Sequence, residues 1–301
     1  MNRRDFLRLG AASAVLAGAV PAAASSDSVT VGGKNFTEQY LLAEMTVAYL
    51  TAHGVSAQKR DGMTSPVLRQ SLTRAQVDLC WEYVGTSLVV FNGVPASEAM
   101  TRQGALTRVR ELDRARGLVW LGPSAAGNSY ALSMRRADAT ELEIATLGDL
   151  ATYMEDQDGP RTLALNTEFA GRRDGLHHLA HHYGFQWPAA QLRRMPTARM
   201  LPALREGAVR VSVAFATDGA LKDQGLVLLQ DDRAFFPDYS LAPVVRRDLL
   251  DRHPDLEPLL EALGAHLTKS KLCGMNWRID VEQRPVAEVA RRFLEEEDLL
   301  G

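Results

Sequence analysis

Short apolar runs recur along this chain between longer stretches of helical period, and no Pro/Gly/Ser-rich linker divides it. The runs are VTVGG (29–33), VDLCW (77–81), GLVWL (117–121), YALSM (130–134), TLALN (162–166), VSVAF (211–215) and LVLL (226–229). Apolar stretches this short, bounded by turn residues, read as buried strands. Helical patterns lie between them at 98–115, 173–183 and 199–206, and after the first run Tyr40, Leu41, Met45, Ala48 and Tyr49 share one helix face. Asn35 followed three residues later by Glu38 predicts an N-cap with a reciprocal carboxylate for that helix. DLEPLLEALGAHL and PVAEVARRFLEEE near the C-terminus are amphipathic helices with polar outer faces. The alternation predicts an α/β fold with mostly parallel strands. Lacking a linker, a second lobe must be inserted within the first or share strands with it. The crossings are expected near 124–129 and 231–240, where PSAAGNS and DDRAFFPDY supply turn-forming residues.

The first residues are not part of that pattern. Arg3, Arg4 and Arg8 precede an apolar stretch from Leu9 to Val20, and Ala22, Ala23 and Ala24 form a small-residue cleavage site. Residues 1–24 therefore read as a signal peptide cut after Ala24, with RRDFL resembling a twin-arginine export signal. The apolar stretch is too short for a stable membrane anchor, and no cysteine follows the cut to carry a lipid. A soluble periplasmic protein is the expectation. The net charge is −3 over 301 residues and becomes more acidic once three arginines and one aspartate leave with the signal. A mildly acidic chain without basic clusters argues against nucleic acid as a partner. Cys80 and Cys273 enter an oxidising compartment; unpaired thiols are expected, and a disulfide is the alternative.

Five segments carry a family resemblance: GGKNFTEQYLLAEM (32–45), WEYVGTS (81–87), NTEFAGRRDGLHHLAHHYGF (166–185), AFATDGAL (214–221) and LLQDDRAFFPDYSLAPVVRRDLL (228–250). In this order the chain resembles, from about 29 to 296, the substrate-binding proteins of osmoprotectant ABC importers, which take up glycine betaine, choline and carnitine. The resemblance implies a two-lobed type II periplasmic binding protein of the Venus-flytrap kind, with two crossover strands at the hinge. One lobe would comprise 25–127 and 236–301, the other 128–235. It implies a monomer that binds a small quaternary-ammonium ligand and docks on a membrane permease, with no cofactor or metal and no chemistry done on the ligand.

The ligand explains the residue types. A trimethylammonium group has a full charge but no N–H, so acceptors cannot select it, whereas aromatic faces attract it at ~0.5–2 kcal/mol per ring. The resemblance assigns this role to Tyr83, Tyr130, Phe215 and Tyr239; the family commonly has tyrosine where this chain has Phe215. A betaine carboxylate needs fixed donors and positive charge, and the same comparison points to Lys34, Thr86 and Arg172. Lys34 precedes the mouth of the first helix, where free N–H groups and the helix dipole also favour an anion.

Rival readings remain open here. Within the binding class they are choline or carnitine in the same box, or a zwitterionic amino acid held by salt bridges. Glu82 and Asp218 would be the acid/base pair of a secreted hydrolase, although Asp218 also reads as a helix N-cap. His177/His181 and His178/His182 have i,i+4 metal spacing, but without a third ligand they read as a solvated face. There is no phosphate-cradling glycine loop and no nucleophile motif.

Overall fold

The computed structural model describes residues 28–95, 101–155, 161–222 and 225–301. The expected signal peptide, 1–24, lies outside them, as do residues 98–100 of the expected helix 98–115. Among the described residues there are ten strands: β1 (Val29–Lys34), β2 (Ala57–Met63), β3 (Leu79–Tyr83), β4 (Leu118–Trp120), β5 (Tyr130–Arg135), β6 (Leu163–Leu165), β7 (Leu192–Arg194), β8 (Val211–Phe215), β9 (Leu226–Leu228) and β10 (Leu241–Arg246). They form two five-stranded sheets, in the orders β2-β1-β3-β10-β4 and β7-β6-β8-β5-β9. Among the described residues, no helix is long and apolar enough to cross a membrane.

Each expected run forms a strand, shifted by a residue or two at some ends. The expectation of mostly parallel strands is corrected. β1 runs parallel to β2 and β3, but β10 runs antiparallel to β3 and β4. The second sheet repeats the plan, with β6 parallel to β7 and β8 and β5 antiparallel to β8 and β9. The reason lies in connectivity. β5 and β10 each follow a crossing from the other sheet and so enter their sheet from the opposite end.

The crossings lie side by side at the hinge. Gly127 and Ser240 form an isolated antiparallel bridge, supported by Asn128 N–H to the Tyr239 carbonyl at 3.1 Å and Leu241 N–H to the Ala126 carbonyl at 3.1 Å. The two expected crossover segments thus pair antiparallel through this bridge and the bonds that flank it.

Close approaches fix the lobes internally. A Cβ at Gly32 would lie 2.5 Å from Leu68 Cδ1 and 2.7 Å from Val77 Cγ1, so a side chain there would force these two buried residues to shift, Leu68 being on the helix Ser65–Thr73. Trp81 on β3 is fully buried, and its indole N–H donates to Thr46 Oγ1 at 2.8 Å on the helix Thr37–Ala52. That helix starts differently from expectation. Its N-cap is Phe36, without a side-chain cap bond. Gln39 ties it to the sheet instead, accepting from Lys34 N–H at 3.3 Å and donating to the Trp81 carbonyl at 3.1 Å. No disulfide joins Cys80, which is buried, to Cys273, which is half-buried, and His177, His178, His181 and His182 are exposed on the helix Leu176–Tyr183.

Candidate functional site

The residues singled out in the sequence sit where one sheet faces the other. Lys34 ends β1, Tyr83 ends β3, and Thr86 follows on the next turn. Tyr239 lies in the crossing just before β10, whose Leu241 pairs in register with Tyr83. On the other side Tyr130 opens β5 and pairs directly with Phe215 at the end of β8. Arg172 caps the C-terminal end of the short helix Thr167–Gly171. Carboxyl ends of strands are the usual ligand side of α/β sheets, because loops there are free to vary.

All seven residues line one cavity of about 20 Å³, room for about one water. Beside it opens a cleft of about 1130 Å³. The rings are packed closely: Tyr130 and Phe215 have centroids 4.8 Å apart at 39°, and Tyr130 meets Tyr239 edge-on at 6.2 Å. Phe36, not assigned a role from the sequence, stacks on Phe215 at 5.0 Å and 10° and on Tyr83 at 6.3 Å and 25°. Its position inside the KNFTEQ segment was the available signal.

Two protein cations already lie on ring faces. Lys34 Nζ is 4.9 Å from the Tyr83 centroid, and the Arg172 guanidinium carbon is 5.0 Å from that of Tyr130. Both are ion-paired. Lys34 donates to Glu82 Oε1 at 2.5 Å. Arg172 donates to Asp174 through Nε at 2.7 Å and Nη2 at 2.6 Å, to Glu168 at 2.9 Å, and to Thr86 Oγ1 at 3.2 Å. Tyr239 also donates its hydroxyl to Asp174. Burial works to raise the Glu168 carboxyl, but the charges of Lys34 and Arg172 and bonds from Ser65 hold it below its ordinary value. Asp174 stands two residues after Arg172 in a segment quoted for its arginine; nothing in the spacing distinguishes a partner from a solvated acid.

Glu38 has a role other than the one its spacing predicts. Instead of closing a capping box, its buried carboxylate accepts from Tyr83 Oη at 2.7 Å, Asn128 Nδ2 at 3.1 Å, Asn276 Nδ2 at 3.4 Å and Thr217 Oγ1. Burial raises its pKa, against the pull of those four donors. Asp218 stands just before the turn Gly219–Lys222, where its carbonyl accepts Leu221 N–H at 3.2 Å, but its side chain does not serve as the cap. Its carboxylate turns back to accept Phe215 N–H at 2.7 Å, and burial pushes it up to about 7, aided by the charges of Asp280 and Glu38. Glu82, taken up by Lys34 and by Tyr83 N–H at 2.7 Å, lines neither cavity, whereas Asp218 lines the wide cleft. The structure therefore does not bring Glu82 and Asp218 together as an acid/base pair. No group of three or more His, Cys, Asp or Glu among the described residues is arranged to hold a metal.

Two α/β lobes, crossed twice by the chain and meeting over a ring-lined cavity, define the class of two-lobed solute-binding proteins. Residues 27–296 match the family described as the substrate binding domain of ABC-type glycine betaine transport systems. The chain is 36% identical over 282 residues to a glycine-betaine-binding protein of Pseudomonas aeruginosa, covering 92% of this chain and 90% of that one. It is 30% identical over 300 residues to the glycine betaine-binding protein YehZ of Escherichia coli, covering 97% and 98%. The solved apo YehZ superposes with a TM-score of 0.64 at 29% identity, covering 91% of this chain and all of that one. This chain belongs to the substrate-binding family of ABC-type glycine betaine transport systems.

Proposed function

We propose that the chain captures a quaternary-ammonium osmolyte, glycine betaine first, between its lobes and delivers it to the permease of an ABC importer in the membrane. In this reading residues 25–127 and 236–301 form one lobe and 128–235 the other. A signal peptide, 1–24, carries the chain to the periplasm, where it acts as a monomer and leaves its ligand chemically unchanged. Tyr83, Tyr130, Phe215 and Tyr239 hold the trimethylammonium group, and Lys34, Thr86 and Arg172 the carboxylate.

The observation that carries this reading is that two of the four ring faces already hold a cation at about 5 Å, inside the range where ring quadrupoles attract positive charge. A cavity of about 20 Å³ is too small for a trimethylammonium group, so capture requires the rings to part and the protein cations to yield those faces. A ligand touching both lobes then stabilises the form that closes on it.

Choline is the second reading, and the ion pairs favour it. A ligand carboxylate must compete with Glu82 for Lys34, and with Asp174 and Glu168 for Arg172, whereas a net cation has no such competition. A thermal-shift panel of betaine, choline, carnitine, proline and glutamate decides between them. Stabilisation by trimethylammonium compounds alone, with betaine ahead, is expected. Equal shifts with choline remove the carboxylate role from Lys34 and Arg172, and no shift with any trimethylammonium compound sinks the proposal.

A further inference from the structure

Phe36 occupies a position that no other ring among the described residues shares. It lines the wide cleft of about 1130 Å³ and also the inner cavity of about 20 Å³, while Tyr83, Tyr130, Phe215 and Tyr239 line only the inner one. Its ring comes from the first lobe and lies flat on Phe215 of the second, at 5.0 Å and 10°. Phe215 is also in contact with Tyr130, at 4.8 Å and 39°. Two rings at a 5.0 Å centroid distance leave no space for a cation between them.

We propose that Phe36 is the gate between the outer cleft and the aromatic box, and that its departure from Phe215 controls ligand entry and exit. The inference rests on the reading of the box as the ligand site. The backbone suits a swinging side chain. Phe36 is extended (φ −148°, ψ 160°) at the N-cap between β1 and the following helix, where its carbonyl accepts Gln39 N–H at 3.0 Å and Tyr40 N–H at 3.1 Å and so anchors the backbone while the side chain turns. Its ring is half-buried and its neighbour Asn35 is exposed, so a change of χ1 well can carry the ring towards the cleft without unfolding either element. The gate closes from lobe to lobe, which couples access to the relative position of the lobes. Glu168 also lines both cavities, which places a carboxylate at the same threshold, where it attracts an arriving cation.

A gate and a wall differ in kinetics. Removing a gate speeds association and dissociation together, whereas removing a wall of the box speeds dissociation alone. Stopped-flow binding of glycine betaine to Phe36→Ala should show both rates rising by roughly 3- to 10-fold, the equilibrium factor that an aromatic pair contributes, with Kd changing less than either rate. Phe36→Leu, which keeps an apolar side chain, should fall between, and Phe36→Trp should slow both rates. An unchanged association rate with faster dissociation makes Phe36 a wall and overturns the gate, as do two unchanged rates.

A ligand-free arm separates this from the functional reading. In fluorotyrosine-labelled protein, relaxation of the Tyr83 and Tyr130 signals by a small neutral nitroxide should rise in Phe36→Ala relative to wild type. Shielding that is unchanged refutes the gate. If the wild type binds no trimethylammonium ligand at all, the proposed function falls and the nitroxide result still decides the role of Phe36.

Discussion

Tyr83 donates its hydroxyl to Glu38 at 2.7 Å, tying a ring that lines the inner cavity to a carboxylate that also accepts from Thr217, just past β8 of the second sheet. The ring face and the hydroxyl of one residue thus serve different ends. The face is presented to the cavity, and the hydroxyl satisfies a buried anion.

Substitutions at Tyr83 should separate those ends. Tyr83→Phe is expected to lower stability by about 1 kcal/mol in urea denaturation, since a buried acceptor loses a donor, while affinity for a trimethylammonium ligand stays within about threefold because the ring remains. Tyr83→Ala should weaken binding by ~1–2 kcal/mol or more by titration calorimetry. Equal loss of affinity in both variants would mean that the hydroxyl, not the face, recognises the ligand.

Arg172 and Asp174 form a buried bidentate pair, with Asp174 fully enclosed. Arg172→Ala leaves that carboxylate without its cation and should cost about 3–5 kcal/mol. Arg172→Ala combined with Asp174→Asn should recover a large part of the loss. A double variant no more stable than the single one contradicts the pairing.

Stability should depend on pH through Asp218. Its folded pKa, about 7, lies above the ordinary 3.8, so between those values the folded chain retains a proton that the unfolded chain has released. The contribution is complete below pH 3.8 and is lost as pH rises to about 7, with a slope approaching 1.4 kcal/mol per pH unit. Denaturation midpoints measured from pH 4.5 to 7.5 should fall with pH in the wild type and fall less in Asp218→Asn. Parallel profiles would place the titration elsewhere.

Gly219 lets the turn Gly219–Lys222 rest against the helix Lys269–Asp280, which belongs to the C-terminal part of the chain. A Cβ there would lie 2.2 Å from Trp277 N, a backbone atom that cannot swing aside. Gly219→Ala should therefore destabilise by about 1–3 kcal/mol through overpacking, read as a lowered Tm. An unchanged Tm would show that the two segments separate at little cost.

Some of this architecture was legible before folding. The runs at 130–134 and 211–215 announced themselves by apolar content, and they became the register-paired β5 and β8 that carry Tyr130 and Phe215. β2, with sequence AQKRDGM, was missed because it is an edge strand with a largely solvated face and no apolar alternation. β10 was missed because Pro243 interrupts a run that otherwise reads as a strand.

By itself, the sequence determined the alternation of strand and helix, the double crossing, and the rings and cations that would meet at one face of the sheets. Those features are written in local periodicity and in short segments. Only the tertiary structure decided how the charges are spent: Lys34 on Glu82 48 residues away, Thr86 on Arg172 86 residues away, and Glu38 on Thr217 179 residues away. It also decided that Phe36 stacks on Phe215 and lines both the inner cavity and the wide cleft. Side-chain period reports which face of an element is buried, but a buried charge takes whichever partner the folded chain brings within reach, and no spacing along the chain records that choice.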